Sequence, residues 1–326
     1  MRILHITPHL GGGVGTVIMD WLRKDLKHDH QMVSLDYVNK KAIGTGLAFI
    51  PPGRIELAIH LADIVLVHYW DHPMLAELFS KRIPDCRMVF WCHKNFDINN
   101  FEIEYPDRFI NTSPVQNYLA LRDPIEYIWS TGNMERFLAI EPKPHEGFNI
   151  GYIGTIDFKK MHGSFVEICE DIKKAIPEAR FTIVGEDNIW VGNGSKVLGD
   201  HFTFTGKVND VAPYLAEMDV FAYPLRPDHY GTCEIALGEA MASGVVPVVM
   251  DGPAMRWICG PVGAKSEKEF IRMVEILYKL PEFRKELSVM VRNTARKRYN
   301  IDNMIASWNQ IFTEMMQNPK TKRSPI

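Results

Sequence analysis

Three consecutive runs decide the fold: Val220-Phe221-Ala222-Tyr223-Pro224-Leu225, then Gly231-Thr232-Cys233-Glu234-Ile235-Ala236-Leu237-Gly238-Glu239-Ala240-Met241-Ala242-Ser243-Gly244, then Val245-Val246-Pro247-Val248-Val249-Met250. The first and last are short and apolar, the first with two aromatic residues and the last with four valines. The middle one is long enough for a helix and has small and apolar residues at helical spacing. Strand, helix and returning strand is the unit from which parallel sheets are built.

Working outward, the same alternation recurs on both sides. The second half predicts strands at 149–154, 180–185, 202–205, 220–224 and 245–250, with helices at 164–175, 211–218 and 232–243. Helices at 267–279, 282–299 and 301–317 follow; the last carries Met304, Trp308, Ile311, Phe312 and Met315 on one face. The first half predicts strands at 2–7, 32–36, 64–68, 88–93 and 108–112, with a helix at 16–26. Between the halves, residues 140–148 contain two prolines, a glycine and no periodicity, which reads as a linker. The expectation is an α/β protein of two Rossmann-like, doubly wound parallel-sheet domains facing a central cleft: residues 1–140, residues 146–300, and a C-terminal helix and tail at 301–326 that returns to the first domain. A chain of 326 residues is long enough for two such cores.

A formal net charge of -3 argues against a nucleic-acid partner. No apolar run reaches the roughly 18 residues of a membrane span, and the N-terminus reads as a first strand instead of a signal peptide. The five cysteines have no metal-ligand spacing and are expected to be reduced in a cytoplasmic protein. Arg23, Lys24 and Lys27 on the first helix could meet anionic lipid, but a solvated face is the simpler reading.

Two local features suggest chemistry. Leu10-Gly11-Gly12-Gly13-Val14-Gly15-Thr16 joins the first strand to the first helix, where glycine amides and a helix start suit a phosphate or a sugar. Its spacing does not give Gly-x-Gly-x-x-Gly, so an NAD(P) oxidoreductase is the weaker alternative, although Asp36 ends a plausible second strand. Glu239 lies among Leu237, Gly238, Ala240, Met241 and Ala242, where a carboxylate needs hydrogen-bond donors. Ribose hydroxyls would supply them; an internal arginine is the bland explanation. Thr232 is read as the helix N-cap, with Glu234 in the first turn. His68-Tyr69-Trp70-Asp71-His72 lacks a third metal ligand and is read as an aromatic loop.

On these residues the chain resembles the retaining GT-B glycosyltransferases of family 4. Residues 151–163 are similar to the family's Gly-Arg-x4-Lys-Gly segment. Residues 204–224 are similar to its "F-x-G-x-v…aDvfvyP" stretch, and 237–249 to its "EAMAxGxPVV" signature. Residues 131–137 are similar to "NGVDxxRF", and the glycine loop also matches. The resemblance implies transfer of a sugar from a nucleotide-diphosphate sugar to an unidentified acceptor, with retention, without metal or cofactor. It implies Glu239 on the donor ribose, Lys160 with Lys159 on the phosphates, and His93 near sugar and acceptor. Gly13 and the amides of Gly231, Thr232 and Cys233 would meet the donor, Val208 would border the base, and His68 would face the acceptor. The sequence departs from the family at two charged positions. The first glutamate of Glu-x7-Glu falls at Gly231, with Glu234 the nearest substitute. The phosphate arginine falls at Thr155, with Arg226 the candidate replacement. These departures motivate a second alternative, a catalytically inactive partner subunit; a homo- or hetero-oligomer is open in either case.

Overall fold

Continuous runs of aliphatic and aromatic residues form strands buried on both faces, as central parallel strands require. The computed structural model describes residues 1–38, 48–95, 100–114, 126–157, 159–186, 192–260 and 263–325. The chain divides into unit one, Met1–Asn133 with Asn300–Ile326, and unit two, Met134–Tyr299.

Unit one contains β1 (Arg2–Thr7), β2 (Asp29–Ser34), β3 (Ala48–Phe49), β4 (Ile64–Tyr69), β5 (Met88–Cys92) and β6 (Arg108–Asn111). All pairings are parallel, in the order β3-β2-β1-β4-β5-β6. The chain direction across the sheet reverses between β1 and β4, the place where open α/β sheets take ligands beyond their strand ends. The helix Ile301–Met315 belongs to this unit: Trp308 stacks on Trp21 at 5.4 Å and meets Trp91 edge-on at 5.2 Å.

Unit two contains β7 (Phe148–Ile153), β8 (Ala179–Val184), β9 (Phe202–Gly206), β10 (Val220–Tyr223) and β11 (Val246–Val249). They form a parallel sheet in the order β11-β10-β7-β8-β9, so its reversal lies between β7 and β10. The division between units falls ahead of the linker read at 140–148. The short helix Glu135–Leu138 and Lys143, whose amide donates to the Ala216 carbonyl at 2.7 Å, are parts of unit two.

Two helix starts differ from expectation. The first helix is Gly12–Lys24, so the glycine run is its first turn and not a loop before it. A Cβ at Gly15 would lie 2.7 Å from the Leu10 carbonyl carbon, which explains one glycine by close packing alone. The helix expected at 232–243 is Ile235–Ala242, and its N-cap is Glu234, not Thr232. Seven-residue helices at Ile55–Leu61, Pro73–Phe79 and Pro253–Cys259 were not legible, being too short to establish a period. Among the described residues, no helix is long and apolar enough to cross a membrane, and none of the five cysteines forms a disulfide.

Candidate functional site

In unit two the chemistry gathers where β7 and β10 end. Lys160 follows β7 through a turn in which its amide donates to the Asp157 carbonyl at 3.2 Å; the Lys160 carbonyl then accepts from the Arg226 amide at 2.9 Å. Two segments distant in sequence are thereby joined by backbone bonds. The Lys160 ammonium lies 2.9 Å from Glu234 Oε2, with the two side chains 13% and 1% exposed. Tyr223, the last residue of β10, donates its hydroxyl to the same oxygen at 2.5 Å. Glu234 Oε1 lies 3.5 Å from His229 Nδ1, which already accepts the Gly231 amide at 3.1 Å. That carboxylate oxygen is buried and accepts no hydrogen bond.

Each pKa here follows from burial set against a partner. Burial works to lower the Lys160 ammonium, but the Glu234 charge more than offsets it and raises the value above the ordinary one. Burial works to raise Glu234; Lys160, His229 and the Tyr223 hydroxyl prevail and lower it. Both partners are therefore ionised at neutral pH. His229 is lowered, chiefly by burial.

Glu234 adopts φ 43, the only left-handed non-glycine residue among those described. Such strain persists where the surroundings over-determine it, often at functional sites. Gly231 explains part of the geometry. A Cβ there would lie 1.7 Å from Glu234 Oε1, so the Glu234 carboxylate occupies the space that a side chain at 231 would enter. The glycine at 231 and the carboxylate of Glu234, its expected nearest substitute, thus compete for one space.

The remaining expected residues of unit two fall as follows. Glu239 is buried on Ile235–Ala242, at 8% exposure. Arg226 is exposed and pairs with Asp228 through two contacts at 3.0 and 2.9 Å. The Gly231 amide, expected to face the donor, is instead taken by His229. Thr232 and Cys233 are buried in the turn before Glu234, which Tyr299 braces by donating its hydroxyl to the Cys233 carbonyl at 2.7 Å. The Lys159 amide is held by Asp157 at 2.9 Å, and the Thr155 carbonyl accepts the Tyr152 hydroxyl at 2.7 Å. Val208 follows β9 and is half-buried. Tyr223 and His229 were missed by sequence reasoning. A tyrosine ending a buried strand beside a glutamate-bearing helix is their only sequence signal.

In unit one, His93 directly follows β5, and its amide donates to the Tyr69 carbonyl at 2.7 Å. Its Nε2 lies 3.2 Å from His68 Nδ1. His68 ends near the carboxyl end of β4, is fully buried, and its Nε2 lies 3.0 Å from His5 Nδ1 on β1. His68 was expected to face the acceptor; both of its ring nitrogens are instead occupied by other histidines. His5 Nε2 lies 2.9 Å from His30 Nδ1, and His30 Nε2 lies 3.1 Å from Asp25 Oδ2. His28 Nδ1 reaches the same oxygen at 3.0 Å. Trp21 meets the His5 ring edge-on, and Trp91 packs on His93 and His68. Burial lowers His5 and His68 well below the ordinary imidazole value and brings His93 down to about 3. Burial works to raise Asp25, but hydrogen bonds from His30, His28 and the Lys27 amide hold it well below the usual carboxylate range. Among the described residues, Asp25, His28 and His30 are the one group that could hold a metal ion, with ligand atoms within 4.8 Å of one another. Gly13 lies exposed in the first turn of Gly12–Lys24.

Residues 147–277 match the model of the glycosyl transferases group 1 family. The matched segment holds Lys160, Glu234 and Glu239. No curated protein matches the sequence significantly. Among solved structures, a glycosyltransferase from Rickettsia africae superposes with a TM-score of 0.78 at 13% identity, covering 98% of this chain and 99% of that one. HepE of Anabaena in complex with UDP gives 0.72 at 13%, covering 96% and 100%. The same protein in complex with UDP-glucose gives 0.71 at 12%, covering 97% and 99%. The fold is GT-B: two parallel-sheet α/β units of six and five strands, shared with these glycosyltransferases. Fold and family match together support a glycosyltransferase. They favour neither the inactive-subunit nor the oxidoreductase alternative.

Proposed function

We propose that the protein transfers a sugar from a nucleotide-diphosphate sugar to an acceptor hydroxyl, with retention and without a metal. The observation that carries the reading is the buried Lys160–Glu234 pair at the ends of β7 and β10, inside the segment that matches the family model. A sheet's point of reversal is where a diphosphate is expected, and Lys160 is the cation there. Because Lys160 already holds a carboxylate, an arriving diphosphate meets a pair of zero net charge. Binding requires Lys160 to share or exchange that partner. The bare Glu234 Oε1 is an acceptor waiting for a hydroxyl, which a donor sugar supplies.

Departure of the diphosphate concentrates negative charge on the leaving oxygen. A preorganised donor aimed at such an oxygen contributes roughly 2.7–4 kcal/mol to the transition state. Lys160 has this role in the proposal, with Arg226 exchanging Asp228 for phosphate. Glu239 holds the ribose. His93 handles a hydroxyl, with His68 behind it. No carboxylate is assigned as nucleophile, so substitution on one face of the sugar is preferred to a covalent intermediate.

UDP and UDP-glucose are the first probes, since they are the ligands of HepE. Calorimetry with UDP, GDP and ADP, followed by donor hydrolysis, tests the reading. One nucleotide is expected to bind, Glu239→Ala to weaken it, and Lys160→Ala to abolish turnover. Binding of none of the three, or wild-type turnover in Lys160→Ala, overturns the assignment.

A further inference from the structure

Asp25, His30, His5, His68 and His93 form one continuous hydrogen-bonded chain that crosses the interior of unit one from β2 through β1 and β4 to the end of β5. None of Asp25, His30 and His5 was expected to matter to function. The chain contains four imidazoles, each link using one nitrogen from either side. Seven of the eight ring nitrogens are thereby committed, and the eighth is His93 Nδ1.

The directions of these bonds are not independent. A carboxylate only accepts, so His30 Nε2 must carry a hydrogen toward Asp25. An imidazole with one ring hydrogen, placed on Nε2, has a bare lone pair at Nδ1. His5 must donate to that lone pair from Nε2, which leaves His5 Nδ1 bare. The same step repeats at His68 and at His93. Two bare nitrogens, or two hydrogens, facing each other at about 3 Å in a buried site would forfeit a hydrogen bond and leave a polar group unsatisfied. One anionic residue therefore orders the whole row.

We propose that Asp25, acting through His30, His5 and His68, fixes His93 as its Nε2–H tautomer, so that His93 presents Nδ1 as a hydrogen-bond acceptor to a sugar hydroxyl. The four residues behind His93 are positioning residues. The meaning of His93 as a hydroxyl acceptor rests on the transferase reading; the tautomer does not. In the triads of serine hydrolases a single carboxylate orients a single imidazole in this manner; here the same constraint passes through three further rings. Without Asp25 the row can run in reverse, with His68 donating from Nδ1 to His93 Nε2. His93 would then offer a hydrogen from Nδ1 and repel the hydroxyl hydrogen that its lone pair now accepts.

The Asp25, His28 and His30 group supplies the strongest competing state. A metal ion bound there would need His30 Nε2 bare, so His30 would donate from Nδ1, and every bond up to His93 would invert. The proton and metal occupants thus predict opposite tautomers at His93.

The test uses the full chain with 15N-labelled histidine rings, treated with EDTA, at pH 8. Long-range proton–nitrogen correlation distinguishes bare from protonated ring nitrogens, and the His93 signals are identified by their loss in His93→Gln. The expected spectrum has a protonated Nε2 and a bare Nδ1 at His93. A protonated Nδ1 overturns the proposal. Stoichiometric zinc retained by the purified protein, with a protonated Nδ1 in that form, also overturns it in favour of a metal site. Asp25→Leu is expected to release the His93 tautomer. Should that variant not fold, His5→Phe cuts the row while keeping the Asp25 contacts with His28 and Lys27. An unchanged His93 spectrum in the folded variant overturns the proposal. If donor turnover is established, kcat should fall about a hundredfold with the donor KM unchanged, the low end of what a positioned base contributes. Were the chain to transfer no sugar at all, the spectra would still decide the tautomer.

Discussion

In unit one, four imidazoles end on a single carboxylate whose side chain is 3% exposed; in unit two, a lysine and a glutamate face each other as a full ion pair. Both arrangements place polar atoms where the sheet reverses, but they satisfy burial differently. The histidine row spreads its hydrogen bonds over four rings and ends on one carboxylate. The Lys160–Glu234 pair keeps two charges in a low-dielectric setting, where each depends on the other for compensation. The first arrangement is vulnerable to acid, the second to loss of a partner. A row of linked rings transmits geometry, whereas a charged pair is ready to exchange one anion for another.

The largest expected effect comes from breaking the pair. Lys160→Ala leaves Glu234 buried and uncompensated, which costs about 3–5 kcal/mol. The melting temperature should fall clearly, and not merely the activity. Lys160→Met with Glu234→Leu should recover most of the loss while remaining inactive. Thermal unfolding checks both; a single variant as stable as wild type would show that Glu234 does not depend on Lys160 for compensation of its buried charge.

Acid comes second and separates the units. His68 and His93 have folded-state values below the ordinary 6.5, so the unfolded chain takes up protons that the folded chain refuses. Stability is therefore lost as pH falls below about 6.5, by ~1.4 kcal/mol per pH unit for each histidine, or about 3 kcal/mol for the two at pH 5.5. Glu234 is lowered from 4.5 and Lys160 raised from 10.5, so their contribution holds between these values and fades only below the first or above the second. Among the described residues, His229 is the one lowered histidine in unit two. Hydrogen exchange measured unit by unit should show unit one loosening more steeply between pH 7.5 and 5.5. Equal slopes would remove the distinction.

The smallest effect sharpens the account of unit two. A Cβ at Gly238 would lie 2.6 Å from the Tyr299 ring, whose hydroxyl braces the turn before Glu234. Gly238→Ala should cost about 1–3 kcal/mol by overpacking and weaken nucleotide binding, while the His93 spectrum stays unchanged. Calorimetry and the ring-nitrogen spectrum of one variant check both halves.

Much of the fold was legible because parallel strands bury both faces and so appear as uninterrupted apolar runs. β1 was read to the residue, and β10 and β11 nearly so. Lys160, Glu239 and His93 were named as candidates through the resemblance of their segments to family motifs. Glu234 was seen as a substitute for position 231, but not its left-handed backbone or its carboxylate filling the space beside Gly231. Those depend on Lys160 and Tyr223 arriving from other strands.

By itself the sequence determined the alternation of strands and helices and the two parallel sheets, since local periodicity carries that information, while the candidate acids and bases came from a resemblance of motifs. Only the tertiary structure decided that Lys160 is paired, that His68 is sealed between two other histidines, and that Asp25, His30, His5, His68 and His93 form one row. The reason is physical. A hydrogen bond joins atoms within about 3 Å of each other in space, and residues on β1, β2, β4 and β5 come that close only once a parallel sheet has set them side by side.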